Sequence, residues 1–286
     1  DYRVMLDKHD NDIDGVIVST PDHTHACIAL EAIKRGKHVY VQKPLARTFQ
    51  ECQVLLDAAN KYGVVTQMGN QGHTHNGLKV WEKMQADNVF GDIEHVHTWS
   101  NRPIWPQGMS SVPAGQAVPS TLNWDLWQGP VAARAYNEAY LPFNWRGWWD
   151  FGAGAMGDMA CHNMDPAFWI LELGLPSKIK ATASAPVSVA YPDWSIVDYT
   201  FDKSPVTGKP VTLTWYDGKK VPQMPAGANP NLEAGGNGCM IVGSKMTAMG
   251  GSHAKRPRPI ALGKEAYSPA VKDAERFWRT EDKKIQ

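Results

Sequence analysis

Cysteine is scarce in this chain and poorly placed for chemistry. Only four occur in 286 residues, and Cys27, Cys52, Cys161 and Cys239 form no C-x-x-C pair. That spacing suggests neither a zinc knuckle nor a disulfide framework. An excess of one charge is also missing. Lys plus Arg and Asp plus Glu both number 29, so the formal net charge is zero and no basic stripe offers itself to a nucleic acid. No apolar run approaches the roughly 18 residues that a membrane span requires. No internal repeat is present, and no G-x-G-x-x-G follows a first strand. The chain opens without an initiator methionine or a signal sequence, so Asp1 is expected to lie inside a longer protein. What remains is a chain able to bury a large core as one or two domains. Its one unusual abundance is tryptophan: twelve in all, seven of them between Trp99 and Trp149.

The hydrophobic pattern sets the fold class. After a polar helix-like piece over residues 1–12, residues 13–20 read as a strand whose β-branched run suits a sheet covered on both faces. Pro21-Asp22 breaks it, with Asp22 the expected N-cap of a periodic helix over 23–35 that stops at Gly36. A strand over 38–42 follows, then a capping box at Thr48 and Glu51, a helix to Tyr62, and a strand over 64–68. Strand, helix, strand, helix, strand implies right-handed βαβ units and a parallel sheet. After a helix over 76–87 the texture changes. Residues 93–99 alternate as a half-exposed strand does, and a Pro/Gly/Trp-rich excursion over 101–150 leads into a helix-like run. Further strands are predicted over 178–189, 195–201, 211–216, 239–242 and 245–249, with a glycine-rich loop over 226–238. The expected fold is α/β: an incomplete Rossmann-type parallel sheet over 1–90, then an α/β domain with an open, mainly antiparallel sheet over 91–286.

The candidate chemistry lies at the strand ends and in the run after the tryptophans. In an open parallel sheet, ligands bind beyond the C-terminal ends of the strands. Here those ends read Thr20-Pro21-Asp22-His23, Gln42-Lys43-Pro44 and Met68-Gly69-Asn70. Lys43 follows a strand and precedes a proline that restrains it and can take a cis bond; held in a cleft, it can polarise a hydroxyl or carbonyl oxygen. The competing reading is a surface lysine. His23 and His25 sit at a helix N-terminus, whose free N–H groups suit a phosphate, or else merely flank a cap. Asp158 and His162 stand four apart, so on a helix they share a face, and Asp165 extends it. A carboxylate one turn from an imidazole orients it for proton transfer, though an ordinary helix ion pair has the same spacing. The H-x-H pairs His73/His75 and His95/His97 have no further ligand at metal-site spacing, so no metal is expected. Trp105, Trp145, Trp148 and Trp149 beside Arg102 and Arg146 are either sheet-covering core or a stacking platform for a flat sugar face.

Taken together these residues resemble the glucose–fructose oxidoreductase/inositol dehydrogenase (Gfo/Idh/MocA) family of nicotinamide-dependent sugar oxidoreductases, over nearly the whole chain. Thr20, Pro21 and His25 match its T-P-x-x-x-H pattern, with His23 also near the cofactor. Gln42-Lys43-Pro44 matches E-K-P, and Asp158 and His162 match D-x-x-x-H. The runs Asn101-Arg102-Pro103 and Trp127 to Pro130 resemble a bacterial, glycoside-processing subgroup. Two departures stand out: Gln42 replaces a glutamate, and the glycine fingerprint and the residue separating NAD from NADP are missing, which truncation by one βαβ unit would explain. The resemblance implies NAD or NADP as cofactor, with Thr20, Pro21, His23, His25, Gln42, Lys43 and Asn70 around it. It implies Lys43, Asp158 and His162 as catalytic residues and a carbohydrate held by Arg102, Trp105, Arg146, Trp148 and Trp149. It also implies a homo-oligomer built through the C-terminal sheet, with no nucleic-acid partner. The resemblance does not fix the compartment and leaves two alternatives, the cytoplasm or, where a twin-arginine signal precedes Asp1, the periplasm. The expected activity is hydride transfer between NAD(P) and a carbohydrate hydroxyl. Its rivals are an NAD-retaining glycosidase working through transient oxidation, and a sugar-binding relic.

Overall fold

The computed structural model describes residues 1–185, 188–225 and 236–260. They form two compact units that interleave along the chain. The first comprises residues 1–70, 105–158 and 185–192; the second comprises 71–104, 159–184 and the residues from 193 onward. Residues 105–158, which hold most of the tryptophan-rich excursion, cluster with the N-terminal residues in the first unit.

In the first unit, β1 (Gly15–Val18), β2 (His38–Gln42) and β3 (Thr66–Gly69) pair in parallel in the order β1-β2-β3. Two helices connect them, α2 (Asp22–Lys34) and α3 (Phe49–Tyr62), after a short α1 (Tyr2–His9). The capping box is formed: Thr48 Oγ1 accepts the Glu51 N–H, Glu51 reaches back to the Thr48 N–H, and Gly63 closes α3 at φ 65°. Ala29, Ala32 and Ile33 of α2 are buried with Val39, Val41 and Leu55, each large aliphatic contributing roughly 1.5–3 kcal/mol. Only one sheet face is covered in this way. On the other, Ile17 is 73% exposed, which corrects the expectation that β1 is covered on both faces. The excursion builds its own core from Tyr140, Trp145, Trp148 and Phe151, with Trp124 and Trp127 of α5 (Trp124–Gln128) against them. His23 joins it, its ring 4.9 Å from Trp127 and 5.3 Å from Phe151.

The second unit carries a seven-stranded sheet of β4 (Ile93–Trp99), β5 (Lys178–Ala183), β6 (Ser195–Phe201), β7 (Val211–Tyr216), β8 (Gly238–Gly243), β9 (Thr247–Gly251) and β10 (Arg258–Pro259). The order is β10-β9-β8-β4-β7-β6-β5, and every pairing is antiparallel except β4 with β7. β5 ends six residues before the expected limit at 189, and most of the glycine-rich loop, residues 226–235, lies outside the described residues. Helix α4 (Asn76–Ala86) packs with α7 (Asp165–Ile170). The helix-like run after the tryptophans is two helices, α6 (Gly154–Asn163) and then α7. Pro166 explains the break, because it has no N–H to give the carbonyl of His162. Asp165 therefore starts a new helix instead of extending the Asp158/His162 face. Among the described residues no helix is long and apolar enough to cross a membrane.

Candidate active site

The C-terminal end of β2 presents Lys43, and the Lys43-Pro44 bond is cis. The lysine Nζ donates to Asp158 Oδ1 at 2.6 Å and to the Asp158 carbonyl at 2.9 Å. Their side chains are 16% and 9% exposed, so this is a nearly dry ion pair and not a surface lysine. Its continuation was not legible in the sequence. Arg146 Nη1 lies 3.6 Å from Asp158 Oδ1 and 3.1 Å from Asp22 Oδ1, and Asp22 also accepts the Ala153 N–H at 3.0 Å. Two buried carboxylates and two half-buried cations thus alternate in the order Asp22, Arg146, Asp158, Lys43. The guanidinium lies over the Trp145 ring at 4.4 Å, a cation–π contact that fixes its plane. Gly152 makes the arrangement possible: a Cβ there would sit 2.4 Å from the Arg146 backbone. Burial raises the Asp22 pKa above the ordinary carboxyl value and the Arg146 charge opposes it.

Asp22 is thus a buried ion-pair partner and not the helix cap; α2 begins with Asp22 itself, and Pro21 precedes it. The histidines beside it do not face outward. His25 has Nδ1 2.7 Å from the Pro44 carbonyl and Nε2 2.7 Å from the Thr20 carbonyl, so one ring ties two strand-end loops together. His23 has Nδ1 3.1 Å from the Phe151 carbonyl and Nε2 2.8 Å from the Trp127 carbonyl. Burial lowers its pKa, while the two carbonyls, each favouring a ring N–H, hold it up. Both rings are spent on backbone, so they position the site and present no nitrogen to a ligand.

In the second unit, His162 is 1% exposed, four residues after Asp158 on α6. Its ring stacks on that of His253 with centroids 3.8 Å apart and planes at 26°. No sequence pattern singles out His253. Asn163 donates to the Trp99 carbonyl at 2.7 Å and fixes the helix end. His73 Nδ1 lies 3.0 Å from both Asp165 oxygens, a second imidazole–carboxylate pair. Burial raises the Asp165 pKa, against the opposing pull of His73.

The remaining expected residues divide. Trp105 and Trp148 are core, 5% and 3% exposed, which decides against a stacking platform for those two. Trp149 is 39% exposed and lies 3.8 Å from the Tyr191 ring. Arg146 is committed to carboxylates. Arg102 donates through Nη1 to Asn101 Oδ1 at 2.6 Å, in the second unit. His95 and His97 stack on each other at 4.1 Å and bond to Thr214 and Tyr216.

A dinucleotide fits this edge in part. Thr20, Gln42 and Asn70 stand at the three strand ends, half-buried or exposed, and supply hydroxyl and amide groups. A cavity of about 540 Å³ lies beside Thr20 and Pro21, lined further by Thr24, Cys27, Trp127 and Gly129. That is within the size range of small-molecule sites. At the N-terminus of α2, by contrast, the His23 N–H donates to the Phe151 carbonyl and the Thr24 N–H to the Pro21 carbonyl, so the free donors expected for a phosphate at His23 and His25 are in use.

Residues 1–70 match the oxidoreductase family's NAD-binding Rossmann fold, and residues 92–208 match its C-terminal alpha/beta domain. The levoglucosan dehydrogenase of Pseudarthrobacter phenanthrenivorans is 29% identical over 171 residues, 60% of this chain and 36% of that protein. A glycosyl hydrolase family 109 protein of Shewanella sp. (strain ANA-3) is 38% identical over 95 residues, 33% of this chain and 20% of that one. The WlbA dehydrogenase from Bordetella pertussis, solved with NADH and UDP-GlcNAcA, superposes with a TM-score of 0.57 at 21% identity, covering 93% of this chain and 64% of that structure. The chain thus spans well under half the length of these two curated relatives.

Proposed function

The chain belongs to the Gfo/Idh/MocA oxidoreductase family, and on that premise we propose that the whole protein moves a hydride between NAD(P) and a carbohydrate hydroxyl. The observation that carries this reading is the buried Lys43–Asp158 ion pair at 2.6 Å, at the end of a parallel strand and one helical turn before His162. Lys43 has three N–H donors and spends two on Asp158; the third is aimed at the substrate oxygen, whose developing negative charge it stabilises. His162 takes the hydroxyl proton in oxidation and returns it in reduction. Asp158 holds Lys43 and orients His162, while Asp22 holds Arg146 against Asp158. A bound dinucleotide would supply the hydride acceptor, with Thr20, Gln42 and Asn70 at the strand ends around its reacting ring. Trp149, exposed beside Tyr191, is the aromatic left to meet a sugar face. The open sheet of the second unit is the proposed surface for a homo-oligomer.

The test uses the full-length protein with sugar-dependent NADH formation as readout. Lys43→Ala and His162→Ala should each cost at least ~10²-fold in turnover, the scale of a lost positioned catalytic group, with NAD affinity far less affected. Near-normal turnover in either variant would remove that residue from the mechanism. The similarity to family 109 hydrolases supports a second reading, a glycosidase that regenerates its NAD in place. Product analysis separates the two: net NADH in the first case, released aglycone without net NADH in the second.

A further inference from the structure

The turn after β9 holds three non-glycine residues in the left-handed region within four positions: His253 at φ 63°, Ala254 at φ 59° and Arg256 at φ 49°. Each costs on the order of 1–2 kcal/mol that a glycine would not, so the surroundings must over-determine the turn. Two glycines show how. A Cβ on Gly72 would lie 2.9 Å from the His253 Cα, and a Cβ on Gly77 only 2.0 Å from the Ala254 carbonyl oxygen. The segment from 72 to 77 is thus moulded to the turn's backbone. Ser252 Oγ lies 2.6 Å from His253 Nδ1 and fixes the ring's rotation. The strained turn sets the His253 ring against the buried His162, with centroids 3.8 Å apart and planes inclined at 26°.

We propose that His253 is a positioning residue of the active site: its imidazole stacks on His162 so that both rings are not protonated together, and with the proton on the less buried His253 the His162 ring is held in its neutral, proton-accepting form. The reason is electrostatic. Two imidazolium charges 3.8 Å apart repel strongly, and one of the two rings is fully buried. Protonating both rings should then need a pH lower by on the order of one to three units than protonating one. Among the described residues, the ionisable groups next to the pair along the chain or across the Gly72–Gly77 contact include Asp158, Cys161 and Asp165 beside His162, His73 and His75 beside Gly72 and Gly77, and Lys255 and Arg256 in the turn itself. Asp158 favours a charge on His162 but is shared with Lys43 and Arg146. Lys255 and Arg256 add to the bias against a second proton.

This deepens the proposed function, since it rests on His162 as the proton-exchanging group, and its decisive readout needs no turnover. The chain contains ten histidines, and ring-labelled NMR spectra can be assigned by single substitutions. In the wild type, the His162 and His253 signals should titrate as a coupled pair in two steps at least about one pH unit apart. Asparagine tolerates the left-handed region, so His253→Asn keeps the turn and removes only the titrating ring. In that variant His162 should titrate in one step, at higher pH than the step that completes protonation in the wild type. His162→Asn gives the reciprocal measurement on His253. Independent, superimposed titrations in the wild type, or a His162 curve unmoved by His253→Asn, would overturn the proposal. In the full-length enzyme, His253→Asn should also shift the acidic limb of the pH–rate profile upward. Absent turnover with coupled titration intact would count against the proposed function and not against the pair.

Discussion

Removing Arg146 tests the alternating charges most directly. Arg146→Leu preserves bulk against Trp145 but strands Asp22, which is 2% exposed and keeps only the Ala153 N–H as a described partner. Asp158 retains Lys43. Breaking a buried pair from one side typically costs 3–5 kcal/mol. The folded protein can limit that cost by protonating Asp22. Moving a carboxyl from its ordinary pKa of 3.8 to neutrality at pH 7 costs about 4 kcal/mol, so this bounds the electrostatic part of the loss. The bound shrinks by about 1.4 kcal/mol per pH unit, to under about 2 kcal/mol at pH 5. The sign follows from proton counting. The folded pKa of Asp22 already lies above the unfolded value, and losing Arg146 raises it further. Between those values the native state holds more protons, so stability falls as pH rises and the deficit grows from acid to neutral. A second, pH-independent loss of about 0.5–2 kcal/mol comes from the cation–π contact. The assay is urea unfolding followed by circular dichroism at pH 5, 6 and 7. Asp22→Asn added to Arg146→Leu should remove the pH slope and recover most of the loss at pH 7. A deficit below about 1 kcal/mol, or one equal at all three pH values, would refute the charge alternation as a stabilising arrangement.

Two further outcomes are expected. Burial, and then the neighbouring His95, lower the His97 pKa from 6.5 to about 4, so its neutral form supports the fold above pH 6.5 and that support is lost as pH falls towards 4. His97→Gln should therefore flatten the fall in urea midpoint between pH 7 and 4.5 by about 1–3 kcal/mol, discounted for partial exposure; an unchanged slope would return the ring to solvent. Gly77→Ala should destabilise by about 1–3 kcal/mol through its clash with the Ala254 carbonyl, and should uncouple the His162 and His253 titrations. Retained coupling at unchanged stability would show that the turn is not held by this close approach.

Local signals carried most of the secondary structure. The periodicity of α2, the capping box of α3 and the alternation of β4, β6 and β7 depend on near neighbours, and these elements lie where the pattern puts them. What the pattern missed depends on tertiary partners. Asp22 has the sequence context of an N-cap, and only Arg146 and Ala153, more than a hundred residues away, make it an ion-pair partner. Trp105 and Trp148 have the composition of a sugar platform, but nothing local distinguishes an aromatic that stacks on ligand from one that fills a core. His253, in the run Gly-Gly-Ser-His, gains meaning only when Gly72 and Gly77 shape the turn that aims it.

The two unpredicted features answer the same physical demand in different ways. A site for hydride and proton transfer must exclude water, and exclusion makes every uncompensated charge costly. The first unit meets this with alternation: Asp22, Arg146, Asp158 and Lys43 sum to zero, and each charge has an opposite neighbour within 3.6 Å. In the proposed mechanism His162 gains and loses a proton in each cycle, and a fixed chain of charges does not suit such a group. A ring paired with a fixed carboxylate alone would be drawn towards its charged form. A ring stacked on a protonated second ring is drawn back towards neutrality, because the neighbour repels another proton. On that proposal Asp158 orients His162 while a protonated His253 offsets its pull on the imidazole's basicity.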